Sequence, residues 1–198
     1  MGGRQYGFSH NYSTSKRCYY QLAQIKERMS VLRRYARWVK KGGVNLMSVD
    51  FGLIAWHEDG RWDAAQVLNT RDIGAIMDSL KAQQTNGGAI ALIAIEDEFV
   101  IIARSLGGSM QMMISDVTYA IDYEVAADLV EVLDLEFPEE DDESQPGGDL
   151  DLLNDLGVSD MELLTILDDT ELYPDEQLEA IANRLGFGEQ FNQVIESN

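Results

Sequence analysis

Cysteine is nearly absent from this chain: Cys18 is its single thiol among 198 residues. One thiol excludes an internal disulfide framework and any zinc site built from several cysteines. Histidine is almost as scarce, with only His10 and His57, which leaves little for imidazole-based catalysis. No apolar run approaches the roughly 18–20 residues needed to span a bilayer. The N-terminus is basic but is followed by no apolar segment of the secretory kind, so a cytoplasmic location is expected. No G-x-x-x-x-G-K-[ST] or G-x-G-x-x-G stretch occurs to cradle phosphates. The most telling shortage is positive charge. Between Ser105 and Asn183 there is no Lys or Arg, against 23 acidic residues. A recognition helix drawn from that stretch would repel a phosphate backbone rather than release its counterions, so no direct nucleic-acid binding is expected from residues 48–198.

The composition that remains is that of a folded protein, 45% hydrophobic with three tryptophans, enough for a packed core. Its charge is divided sharply. Residues 1–47 carry 10 basic and 1 acidic side chains, whereas residues 48–198 carry 5 basic and 34 acidic ones, a net of −29. The first segment, 1–46, reads as a basic extension with one helix in "QLAQIKERMSVLRRYARWVKK", where Leu22, Ile25, Met29, Leu32 and Ala36 recur at helical spacing. Two readings of it stand side by side. It is an arm for RNA or a membrane surface, since clustered Lys and Arg neutralise phosphates. Alternatively it is translated leader: in "KKGGVNLM", Lys-Gly-Gly codons can spell a purine-rich ribosome-binding site just ahead of Met47.

From residue 48 to 135 the pattern is that of an α+β domain. "VDFGLIAW" alternates Phe51, Leu53 and Ala55 against Ile54 and Trp56, a strand. Asp59-Gly60 then marks a two-residue hairpin, because a type I′ turn needs positive φ at both central positions. That register sets His57 opposite Trp62 on a second strand, Trp62 to Leu68. Ile73, Ile76, Met77 and Leu80 have helical spacing and lead to the stop Asn86-Gly87-Gly88. "AIALIAIE" and "FVIIAR" are unbroken apolar runs, so they belong in the sheet centre with both faces covered. "SLGGS" turns into "MQMMISD", read as an edge strand, and "EVAADLVEVLDL" closes the unit as a helix with Val125, Leu129, Val132 and Leu133 inward. The order is ββαβββα, an antiparallel sheet with helices on one or both faces.

Residues 136–148, "FPEEDDESQPGG" with its flanking glutamate, read as an acidic linker: like charges from Glu139 to Glu143 repel and stay solvated. "DLDLLND" lacks the calcium-loop pattern, with Leu153 at the fifth-ligand position. Residues 149–198 form a small all-helical module. Its first helix starts at Asp149, buries Leu150, Leu153 and Leu156, and stops at Gly157. Ser159 and Glu162 make a capping box for the second, with Met161, Leu164 and Leu167 on one face. Pro174, followed by Asp175 and Glu176, opens a third, whose stripe of Leu178, Ile181, Ala182 and Leu185 ends at Gly186. "FGEQFNQVI" adds a last amphipathic turn. About fifty residues is small for independent folding, so the module is expected to dock on a partner or on the sheet.

Catalytic groups do not converge in this inventory. His57 stands beside a hairpin turn, where stacking on Trp62 is the simpler role, and nothing singles out an acid–base pair of carboxylates. No metal or cofactor is expected. A small-molecule site near Trp56, His57 and Trp62 stays open as an alternative. An acidic body suits a basic protein surface, steered electrostatically. The carboxylates placed to meet it are Asp149, Asp151, Asp155, Asp160 and Glu162.

The segments "ALIAIEDEFVIIAR", "MISDVTYAIDYEVAADLVE", "GGDLDLLNDLGVSDMELLTIL" and "YPDEQLEAIANRLGFG", in that order, resemble the actinobacterial tRNA adenosine deaminase-associated proteins over roughly Asp50 to Gly188. Segment 1–46 has no counterpart in the pattern. The resemblance implies a non-catalytic partner of tRNA adenosine deaminase, the enzyme that makes inosine at the wobble position. A zinc deaminase needs H-x-E and P-C-x-x-C to hold its metal and move protons. After Met47 this chain has one histidine, followed by Glu58-Asp59, and no cysteine.

Overall fold

A computed structural model describes residues 50–83 and 85–196; the expectations for the basic segment 1–46, its helix included, lie outside them. The described residues fall in one unit, Ser48–Asn198. The sequence enters as strand β1 (Phe51–Glu58) and turns through Asp59-Gly60 into β2 (Arg61–Gln66). Both turn residues have positive φ, 48° and 78°, which is the type I′ geometry that matches the twist of the strands it joins. His57 pairs across to Trp62. Helix α1 (Ile73–Ala82) follows, its N-cap Asp72 accepting a hydrogen bond from the Ala75 N–H at 2.9 Å.

Strands β3 (Ala89–Ile95), β4 (Phe99–Leu106) and β5 (Ser109–Ile114) complete an antiparallel meander. A 3₁₀ turn (Val117–Ile121) then leads to α2 (Glu124–Val132). The strand order β2-β1-β3-β4-β5-β6 puts the two apolar runs at the centre. Period-two alternation divides their side chains between two cores. Ala89, Ala91, Ile93 and Ile95 face α1 and α2, whereas Ile90, Leu92 and Ala94 face the C-terminal helices. All seven are no more than 1% exposed, which is why the strands read as continuous hydrophobic runs rather than as an alternation.

The second face is covered by the C-terminal segment. A short strand, β6 (Gly147–Gly148), pairs with β5. A 3₁₀ turn (Asn154–Leu156) and helices α3 (Asp160–Leu167), α4 (Pro174–Leu185) and α5 (Gly188–Glu196) follow. The fold is therefore α+β, a sheet between two helical layers. Leu178, Ile181, Ala182, Phe187 and Phe191 are fully buried against it.

Several local expectations are corrected. β5 is not the sheet edge, because Gly147 and Gly148 pair with Ile114 and Met113. Only glycine fits at 148: its φ is +95°, and a Cβ would sit 2.3 Å from the Met112 carbonyl oxygen. No α-helix starts at Asp149. Its backbone N–H donates to Met112 O and its carboxylate accepts from the Met112 N–H, at 2.8 and 2.9 Å. This clip to the strand leaves only turns up to Gly157; Leu153 is buried as expected, but Leu152 is buried with it and Leu150 and Leu156 are only half-buried. In α3 the buried residue is Leu163, and Met161 is 76% exposed. In α2 the inward set is Val125, Ala126, Leu129 and Val130, with Val132 turned to solvent at 53% exposure.

Candidate acidic interface

The five carboxylates singled out from the sequence lie in the C-terminal layer but have different local roles. Asp149 bridges to the β5 backbone as described above. Asp155 takes the guanidinium of Arg104, with Nη2 2.8 Å from Oδ2 and Nη1 on Oδ1. Glu162 receives Arg184, and its backbone N–H donates to the Ser159 hydroxyl that caps α3, at 3.2 Å. Asp151, in the turn after β6, and Asp160, at the first position of α3, are exposed to solvent.

Arg104 was not singled out in the sequence. It lies on β4 with 3% exposure, after the apolar run Phe99–Ala103 on a strand buried on both faces. A guanidinium there needs acceptors, since an unpaired buried charge is costly. It finds them by reaching into the C-terminal layer: Nη1 also donates to the Leu152 carbonyl at 2.6 Å. Its Nε has no hydrogen-bond partner among the described residues. The hydrogen bond from Arg104 holds the Asp155 carboxyl below its ordinary pKa, with the Coulombic attraction of the same pair added and partial burial opposing.

A second polar cluster gathers at the β3–β4 turn, built from residues that are distant in sequence. Arg71, just ahead of α1, donates Nε to Asp50 Oδ2 at 2.5 Å and Nη2 to Glu96 Oε1 at 2.8 Å. Glu96 also accepts from the Tyr123 hydroxyl at 3.2 Å, and Glu98 accepts from the Tyr119 hydroxyl at 2.9 Å. Both phenols lean on Phe99, with ring centroids 4.9 and 5.2 Å away. Burial, then Glu96, pushes the Tyr123 hydroxyl up to about 12. Burial and then Glu98 raise Tyr119 further above its ordinary value. Asp50, then Glu96, keep Arg71 firmly charged. Each member of this cluster has a partner within it, so the arrangement is that of a structural clasp.

His57 lies edge-on to Trp62, with centroids 5.1 Å apart at 60°, and Trp62 in turn tilts against Phe187 at 4.9 Å. Trp56 belongs to the opposite core. These three residues do not line one pocket; the cleft on the sheet is formed by other residues, between β2 and α1. Among the described residues, no three His, Cys, Asp or Glu side chains converge to hold a metal ion, and no helix is long and apolar enough to cross a membrane.

What distinguishes the C-terminal layer is therefore its charge. Arg104 and Arg184 are each paired with one of its carboxylates. Across residues 48–198 as a whole, 5 basic residues face 34 acidic ones. The run Glu139–Glu143 is exposed as well.

Comparison with known proteins matches residues 50–188 to the family model for Rv3753c-like tRNA adenosine deaminase-associated proteins. Protein Rv3753c of Mycobacterium tuberculosis is 36% identical over 151 residues, covering 74% of this chain and 87% of that protein. No solved structure matches.

Proposed function

This chain belongs to the Rv3753c-like tRNA adenosine deaminase-associated family, and on that footing we propose that it is a non-catalytic accessory protein that binds tRNA adenosine deaminase through its acidic surface. The observation that carries the reading is the charge layout of the C-terminal layer. Its arginines are paired internally, while Asp151, Asp160 and the run Glu139–Glu143 face solvent. Asp149, Asp155 and Glu162 add negative potential while they hold the layer together. An enzyme that grips tRNA must offer Lys and Arg to phosphates. An anionic partner is drawn to that same surface, and the attraction weakens as salt shortens the Debye length. The chain itself is assigned no catalytic step.

Binding of the full-length chain to the deaminase of the same organism, measured by biolayer interferometry at about 50 and about 500 mM salt, tests the reading. Screening shortens the Debye length about threefold over that range, and at least a tenfold loss of affinity is expected. Absence of binding at low salt refutes the partnership. Salt-independent binding refutes the electrostatic mode. The deaminase's tRNA affinity, measured with and without the chain, separates competition for the basic surface from simple attachment beside it.

A further inference from the structure

Asn86-Gly87, in the loop between α1 and β3, carries a chemistry that the acidic surface does not use. Of the asparagines in this chain, only Asn86 is followed by glycine. A backbone nitrogen that attacks the carboxamide of the preceding asparagine closes a succinimide ring, an intramolecular reaction favoured by proximity. A side chain on the attacking residue crowds that closure, and glycine has none.

The fold leaves the reacting groups unengaged. Asn86 is exposed in a turn that the Gly88 N–H closes by donating to Thr85 O at 3.4 Å, while the Thr85 hydroxyl donates to Gly88 O at 2.9 Å. Both bonds bypass the Gly87 N–H. Among the described residues, neither that N–H nor the Asn86 carboxamide takes part in a hydrogen bond. Asn183 and Asn192 lie instead within α4 and α5, where the helical ladder holds the next N–H. Asn69 donates to Asp72 at 3.4 Å. The glycine at 87 is fixed by packing: a Cβ there would sit 2.6 Å from His57 O and 3.1 Å from His57 Cβ and Nδ1. The close approach to β1 therefore preserves the reactive pair.

We propose that Asn86-Gly87 is a self-modification site, at which the chain converts Asn86 to aspartate and isoaspartate with water as the co-reactant. The Gly87 nitrogen bonds to Asn86 Cγ, the Cγ–Nδ2 bond breaks, and the Gly87 amide proton leaves with the amide nitrogen as ammonia. Water then opens the succinimide at either carbonyl carbon. Opening at Cγ gives aspartate. Opening at the main-chain carbonyl carbon of Asn86 gives isoaspartate, whose backbone runs through Cγ and is longer by a carbon. Either product adds a negative charge to the loop. The longer backbone has no slack where Gly87 packs on His57, so isoaspartate lifts the loop from β1. The site does not depend on the acidic interface.

The test incubates the full-length chain at neutral pH and body temperature and maps its peptides by mass spectrometry. At Asn86 the mass gain of an amide-to-acid exchange is expected about tenfold faster, or more, than at Asn69, Asn154, Asn183 or Asn192. Part of the product should co-elute with a synthetic isoaspartyl standard. A synthetic peptide of residues 83–90 is the unfolded reference. If the peptide converts while Asn86 in the chain stays intact, the fold protects the pair and the proposal is overturned. Equal rates at the other asparagines overturn it as well, as does a mass gain in that peptide that survives Asn86→Ser. In the isoaspartyl form the Gly88 and His57 amides should exchange hydrogen faster than in the parent chain. Fresh Asn86→Asp, which adds the charge without the extra carbon, should leave them unchanged. Unaltered exchange in the isoaspartyl form refutes the lifting of the loop from β1.

Discussion

Removing the Asp155 carboxylate tests how the C-terminal layer is fixed to the sheet. Asp155→Ala leaves the Arg104 guanidinium in place, 3% exposed, with only the Leu152 carbonyl still accepting from it. Breaking a fully buried ion pair from one side costs about 3–5 kcal/mol. Here the Asp155 side chain is 59% exposed, so water can reach the vacated position and the loss falls to about 2–3 kcal/mol. For a unit of this size that lowers Tm by about 4–12 °C. Glu162→Ala is the control: it breaks the Arg184 pair, whose side chains are 56% and 32% exposed, and should cost under about 1 kcal/mol. Urea unfolding monitored by tryptophan fluorescence gives both values. Loss of no more than about 0.5 kcal/mol in Asp155→Ala, equal to the control, would refute the argument. Replacing both partners with apolar residues, Arg104→Met with Asp155→Leu, should recover most of the loss, because no charge then remains to be solvated. The sign with pH follows from the depressed carboxyl. Its stabilisation is complete above the ordinary carboxylate pKa of about 4 and is lost as pH falls through the lower folded-state value.

Three further outcomes are expected. Leu163→Ala, at a fully buried position, should cost about 2–5 kcal/mol, and Met161→Ala, at 76% exposure, under about 0.5; equal effects in denaturant titrations would mean that α3 is rotated. Gly148 and Gly157 share a left-handed φ, but a Cβ at 157 meets nothing within 4 Å, whereas one at 148 meets Met112 O at 2.3 Å. Gly157→Ala should therefore cost about 1–2 kcal/mol and Gly148→Ala distinctly more, with hydrogen exchange quickening at the β5–β6 pairing. Absorbance near 295 nm should show Tyr123 ionising near pH 12. A raised folded-state value means its contribution is intact below the ordinary tyrosine pKa of about 10 and is lost as pH rises from there to 12; ionisation with the ordinary tyrosines would show that the clasp at Glu96 is open in solution.

The parts of the fold that were legible in the sequence are those with local causes. Asp59-Gly60 dictates its own turn, and the hairpin register follows from it. Pro174, Gly186 and the stripe between them bound α4 without reference to the rest of the molecule. The misread segments were decided by contacts across the sheet. Leu150, Leu153 and Leu156 have helical spacing, but Asp149 is clipped to Met112 and the chain cannot wind into a helix from there. In "DMELLTIL" apolar residues occur on most sides of an eight-residue helix, so spacing alone does not set its rotation; Leu163 in the core and Glu162 against Arg184 do. The polar clasp joins Asp50, Arg71, Glu96 and Tyr123, whose separations of 21, 25 and 27 residues leave no local pattern. Arg104 did leave a signal. A single charge inside "FVIIARSL", on a strand covered on both faces, requires a partner carboxylate from the covering layer.

That requirement links stability to the surface. A layer with no internal cation would keep its apolar contacts and the Asp149 clip to β5, but its carboxylates would repel one another unopposed. Arg104 from below and Arg184 from within supply two fixed points, at Asp155 and Glu162, and Arg104 stays buried beneath the exposed face. Asp151 and Asp160 are exposed in the segment that these pairs fasten. An anionic surface fixed in this way loses less conformational entropy on meeting a basic partner than a disordered acidic tail of the same charge would. Positive charge is thus scarce in the chain but placed where it orders the negative charge without cancelling it.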